Sequence, residues 1–175
     1  MATPNMNNPS LRTSPSASRG FSLLEVLIAI LIAAFGLLGV AGLQAYNLKH
    51  SHGSNLRALA TMYAYDISDK IRANKKGFEA GSYDRQQGTS VTACYSSGCS
   101  AAQMAQMDVH LWKQALAAAL PGGDGIVCVD STPNDGTPAS PGCETNPSAP
   151  YAIKIWWNER DGSGNLQRFT TAFRP

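Results

Sequence analysis

Apolar side chains crowd together early in the chain and then thin into a stripe. From Val26 to Leu48 there are 23 residues without a charge. As a helix they would span about 35 Å, against about 30 Å for the hydrocarbon core of a bilayer. The length predicts a segment able to cross a membrane. Beyond it, Leu56, Leu59, Tyr63, Ile67 and Ile71 recur at spacings of three and four, with Asn55, Arg57, Asp66, Lys70 and Arg72 on the other side. No proline interrupts Phe21 to Asn74. The pattern predicts one helix of about fifty residues, apolar all round in its first half and amphipathic in its second. Globular helices usually run about 8 to 20 residues, so the second half needs a domain to pack on.

Residues 74–99, with Gly77, Gly81, Gly88 and Gly98, read as a loop. Ser100 is a plausible N-cap for a second helix, "AAQMAQMDVHLWKQALAAAL", ended by Pro121-Gly122-Gly123. Met104, Met107, Leu111, Ala115 and Leu116 form its expected apolar face. "GIVCVD" (Gly125–Asp130) reads as a strand and 131–149 as a Pro/Gly/Thr/Ser-rich loop. "YAIKIWW" then alternates, with Tyr151, Ile153, Ile155 and Trp157 on one face. A turn at "RDGSGN" and the strand "LQRFTTAFR", with Phe169 and Phe173 on a shared face, complete a hairpin. Trp156 and Trp157 must face opposite ways on a strand. One is expected in the core and the other exposed, free to meet a partner. The predicted fold is α+β: a long N-terminal helix, transmembrane in its first half, on a small antiparallel sheet of about three strands plus a second helix.

Charge sharpens this picture. The formal net charge of +2 comes from Arg12 and Arg19, in a first stretch of twenty residues that holds no acid. From Phe21 onward the charges balance, so no basic field remains to hold phosphates, which argues against nucleic-acid binding. Arginines before the apolar segment favour an N-in, C-out orientation, weakened by Lys49 on the far side. All four cysteines (Cys94, Cys99, Cys128, Cys143) follow the apolar segment, and their even number favours disulfides in an oxidising compartment. Four cysteines permit three pairings. The local one, Cys94 with Cys99 and Cys128 with Cys143, closes two polar loops without crossing the core, and the longer loop would contribute roughly 3 kcal/mol. Zinc-site spacing fits them poorly.

One acid, Glu25, stands at the lip of the apolar run. A charge at a bilayer centre costs about 2.5 to 3.5 kcal/mol on insertion scales, so Glu25 calls for a reason. The leader "MATPNMNNPSLRTSPSASRG" ends in Gly20 before the apolar run, unlike a secretory signal, whose cleavage site follows its apolar core. The stretch "RGFSLLEVLIAILI" resembles the class III signal of type IV pilins and type II secretion pseudopilins. The resemblance implies cleavage after Gly20 by a prepilin peptidase and methylation of the new N-terminal Phe21. It also implies that Glu25 pairs with the N-terminal amine of a neighbouring subunit. In lipid such a partner replaces the hydration that the carboxylate loses. Residues 1–20 would then be a cleaved leader, 21–48 a transmembrane and assembly segment, and 49–175 a periplasmic head.

Three further stretches, "AYDISDKIRANKKGFEAGSYD", "CSAAQMAQMDVHLWKQALAAALPGGDG" and the ending "YAIKIWWNERDG…RFTTAFRP", resemble minor pilins of the PilV type. That resemblance implies a low-abundance subunit that primes pilus assembly. Its partners would be other minor and major pilins and the inner-membrane assembly platform. Two rivals share parts of the pattern: a minor pseudopilin of a type II secretion system, and an adhesin-like tip module using the 131–149 loop and an exposed tryptophan. Tyr65, Asp66, Asp69 and Arg72 read equally as a solvated helix face or a contact surface. Gly36, Gly39 and Gly42 would let helices approach closely in a membrane, or ease local unwinding. His50, His52 and His110 have no Ser or Cys partner at motif spacing. The loop "DSTPNDG" lacks the full ligand series of a calcium site. The sequence therefore predicts no catalytic residues, metal site or cofactor.

Overall fold

A computed structural model describes residues 20–146, 148–159 and 165–173. The leader before Gly20, and the turn expected at Arg160–Asn165 except for Asn165, lie outside the described residues. The chain divides into two units, one ending at Ala45 and one beginning at Tyr46.

Helix α1 (Leu23–Ala73) runs 51 residues without a break, as the absence of proline and the continuous apolar pattern predict. In the first unit every residue from Gly20 to Ala45 is exposed. By length and composition this part of the helix can cross a membrane. The second unit begins where α1 becomes amphipathic. Leu56, Ala60, Ala64, Ile67 and Ile71 are buried there, with Leu59 and Tyr63 partly so.

Two short helices, α2 (Lys75–Glu79) and α3 (Ala93–Ser96), occupy the stretch read as loop. Asn74 caps α2, its side chain accepting from the Gly77 N–H at 3.2 Å. Helix α4 (Ala101–Ala119) begins at Ser100 with a full capping box: Ser100 Oγ accepts from Gln103 N–H and Gln103 Oε1 from Ser100 N–H. Its buried face differs from the expected one. Ala105, Met107, Val109, Trp112 and Leu116 are buried, while Met104 and Leu111 are each 39% exposed. The bulk of Trp112 sets this rotation, and its indole N–H donates to the Tyr63 carbonyl of α1 at 2.9 Å.

Strands β1 (Asp124–Val129), β2 (Tyr151–Asn158) and β3 (Leu166–Phe173) form an antiparallel sheet in the order β1-β2-β3. Ile153, Ile155 and Trp157 join Val127, Trp112, Leu116 and the α1 stripe in the main core, with Phe169 and Phe173 packed at its margin. The architecture is the α+β arrangement that the periodicities predict, and it is pilin-like, as the resemblance of the N-terminal stretch implies.

The second face of the sheet departs from expectation. Trp156 is 1% exposed, as is Trp157, so neither tryptophan is free on the surface. Residues 131–146 fold over that face as a strap, and Trp156, Ile126 and Cys128 form a small second core with Cys143. Gly136, at φ +76°, lets the strap turn so tightly that a Cβ there would meet the Pro141 carbonyl oxygen at 2.2 Å.

Candidate functional site

Two places concentrate chemistry: the entrance of α1 and the buried polar cluster beneath the strap.

Gly20, Phe21 and Ser22 precede the first helical residue, and the Ser22 carbonyl accepts the bond from Val26 N–H at 3.2 Å. Glu25 therefore falls in the first turn. The helix dipole favours an acid there by about 0.3 to 1 kcal/mol. That is less than the roughly 2.5 to 3.5 kcal/mol a charge costs deep in a bilayer. The dipole alone does not offset the cost, and among the described residues Glu25 has no hydrogen-bonding or ion-pairing partner. Phe21, Glu25, Ala29 and Ala33 follow one another at four-residue steps and line a shallow concavity. Its small alanines leave room for the side chains of another helix. A Cβ on Gly36, Gly39 or Gly42 would meet nothing within 4 Å, so nothing inside this chain requires glycine there.

A family model described as the prokaryotic N-terminal methylation motif matches residues 15–41. The match supports a type IV pilin-like protein. The motif implies processing by a prepilin peptidase and assembly with other pilins, and the pilin family is structural rather than enzymatic. Gly20, Phe21 and Glu25 all lie inside the matched span. No curated protein and no solved structure matches the chain.

In the pilin-like head, sulfur bonds join Cys94 to Cys99, from α3 to the residue before the α4 cap, and Cys128 to Cys143, from β1 to the strap. Beneath the strap lies a cluster that the sequence pattern did not single out. Lys154 is fully buried, and its ammonium pairs with the fully buried carboxylate of Asp130. The same Nζ donates to Asp135 Oδ1 and to the Pro141 carbonyl, each at 2.7 Å. The hydrogen bond from Lys154 holds the Asp135 carboxyl below the usual carboxylate range. The two carboxylates of "DSTPNDG", weighed for calcium, thus converge on an ammonium of the same chain, while its Asn134 and Gly136 carbonyls accept from Arg168. A charged residue inside the otherwise apolar "YAIKIWW" was the available signal, of the same kind as Glu25.

On the helix side, Tyr83 is fully buried, its hydroxyl donating to Asp108 at 2.5 Å and accepting from Asn74 at 3.1 Å. Burial first, and then the hydrogen bond to Asp108, push its pKa up. His50 packs against Tyr46, with ring centroids 4.3 Å apart. Asp66 pairs with Lys70 at 2.9 Å and Asp69 with Arg72 at 3.0 Å on the outer face of α1. These are exposed pairs worth a few tenths of a kcal/mol each.

Proposed function

We propose that the chain is a minor pilin of the PilV type that primes or modulates assembly of type IV pili. The observation that carries this reading is the register of Gly20, Phe21 and Glu25 at the start of an unbroken apolar helix. A prepilin peptidase cuts after Gly20, and Phe21 becomes the methylated N-terminus. The segment 21–48 holds the subunit in the inner membrane, with the head of 49–175 in the periplasm. On assembly, that segment leaves lipid for the filament interior among other minor and major pilins, delivered by the inner-membrane platform. Glu25 then meets the amine of a neighbouring subunit. The pilin-like fold and the three head stretches similar to PilV-type subunits support the finer assignment. The tip-adhesin reading loses its exposed tryptophan, since Trp156 and Trp157 are both buried.

Mass spectrometry of the mature N-terminus tests the processing step. A chain starting at residue 1, or cut after the apolar run, removes the pilin reading. Deletion separates the filament roles: loss of surface filaments and twitching supports the pilus subunit, whereas loss of enzyme secretion with pili intact supports a pseudopilin. Glu25→Ala is expected to leave cleavage intact and impair incorporation into filaments. Normal incorporation would refute the charge-pairing role.

A further inference from the structure

The Lys154 cluster holds more than an ion pair needs. A lysine ammonium has three hydrogens to donate. Two go to Asp135 Oδ1 and to the Pro141 carbonyl, each at 2.7 Å. The third is left for Asp130 Oδ2, against which the nitrogen lies. That contact falls outside the angles of a hydrogen bond, so Oδ2 has no hydrogen-bond partner among the described residues.

The other oxygen of the same carboxylate is held firmly. Asp130 Oδ1 accepts from the Thr132 N–H at 2.8 Å, with the Thr132 hydroxyl 3.2 Å away. The hydroxyl also stands 3.2 Å from Asp135 Oδ2. Gly142 leaves room for the Asp135 carboxylate, since a Cβ there would meet its Oδ1 at 2.5 Å. Asp130 thus has one anchored oxygen and one without a hydrogen bond, beside an amine and a second carboxylate. Those are the parts of an acyl transfer.

We propose that Lys154 and Asp130 condense to an amide, with Asp135 carrying the protons. The ion pair is the starting state. Its third Nζ hydrogen passes to Asp130 Oδ2, which sets a neutral amine against a neutral acid. The nitrogen lone pair then attacks Asp130 Cγ and forms the N–C bond. Negative charge develops on Oδ1, where the Thr132 N–H is already aimed. Asp135 Oδ1 takes one of the two hydrogens left on Nζ and hands it to Oδ2. The Cγ–Oδ2 bond breaks and water leaves. An ammonium and a carboxylate become an amide and one water, with nothing oxidised or reduced. Two effects favour the step. The reacting groups are held in contact, where effective molarities reach about 10⁵ to 10⁸ M. The product also replaces two buried charges by a neutral group, which removes the cost of keeping ions out of water. Asp135 is the proton carrier and not the acyl group, because its side chain is 49% exposed and both its oxygens accept hydrogen bonds.

Mass spectrometry of the full chain, purified in detergent micelles and with its disulfides reduced, tests the proposal. The chain is expected to be lighter by one water than its sequence requires. Cleavage after Glu144 separates Asp130 from Lys154 along the chain, so the two fragments should stay joined through those residues. Lys154→Arg should restore the full mass and release the fragments. Asp135→Asn keeps the reacting pair and loses the proton carrier, so its joined fraction should grow about a hundredfold more slowly, with the near-ultraviolet spectrum unchanged. A wild-type chain of full mass after prolonged incubation, with the same spectrum, would overturn the proposal. So would a link that maps to Asp135 or Glu144, or an Asp135→Asn chain that joins at the wild-type rate. None of these outcomes depends on whether the chain is a pilin.

Discussion

Lys154 and Asp130 form an ion pair with both side chains fully withdrawn from solvent. Each is the other's compensation. Removing one partner of a buried pair leaves an unpaired charge and costs about 3 to 5 kcal/mol. Lys154→Met should therefore lower stability by that amount in chemical denaturation. Combining it with Asp130→Asn should restore a large part of the loss. A double variant no better than the single one would show that the pair is not coupled.

Asp135 shares the same ammonium, and its carboxyl stays charged to lower pH when folded than when unfolded. Its contribution is complete above the unfolded value of about 3.9 and is lost as pH falls through the lower folded value. Acid should thus loosen the strap before it melts the helices. Tryptophan emission followed from pH 6 to pH 2 checks this, and Asp135→Asn should remove part of the acid transition.

The Cys128–Cys143 bond ties the strap to β1 across a separation of 15 residues. Replacing both cysteines by serine should cost roughly 3 kcal/mol. It should also open Trp156 to acrylamide, while Trp112 and Trp157 stay shielded in the main core. Quenching spread equally over all three tryptophans would show that the strap does not act as a separate layer.

Tyr83→Phe removes a hydroxyl bonded to both Asp108 and Asn74, and should cost about 1 to 3 kcal/mol at neutral pH. Because the folded chain keeps its phenol proton to higher pH, wild-type stability should fall once pH passes the unfolded value of about 10. The variant should lack this residue's share of that alkaline decline, measured by denaturant midpoints at pH 8 and pH 11.

Two glycines should respond oppositely to alanine. At Gly125 a Cβ would lie 2.5 Å from Trp112 Cη2 and 2.9 Å from Leu116 Cδ1, inside the core, so the cost should be about 1 to 3 kcal/mol. At Gly53 its close neighbour is the Glu159 carboxylate, whose Oε1 would stand 2.2 Å away at the end of a flexible side chain. That group can swing aside, and the helix gains up to about 1 kcal/mol in propensity. Thermal unfolding of the two variants decides the order.

The long helix, the Ser100 cap and the three strands were legible because each carries a periodicity or a start signal. Helices α2 and α3, of five and four residues, are too short to show one. The buried face of α4 was misjudged because methionine and leucine at helical spacing compete with Ala105, Val109 and Trp112. The largest side chain, anchored to Tyr63, wins. One of the two tryptophans was expected outside because alternation assumes a sheet wet on one side, and the composition of 131–146 gives no hint that it folds back as a cover over Trp156. Gly20, Phe21 and Glu25 stood out at once, whereas Lys154 sits in a strand where one polar residue per pair is ordinary.

The strap gives the head a built-in order of maturation. Until Cys128 and Cys143 meet, no other covalent bond among the described residues holds the cover over Trp156, and Lys154 depends on strap oxygens for two of its three close partners. A chain whose two cysteines are still reduced would hold that cover by hydrogen bonds alone, chiefly those from Lys154 and Arg168 to strap oxygens. Oxidation would lock the cover in place. The solvent exposure of a single indole, Trp156, would then report whether the lock has closed.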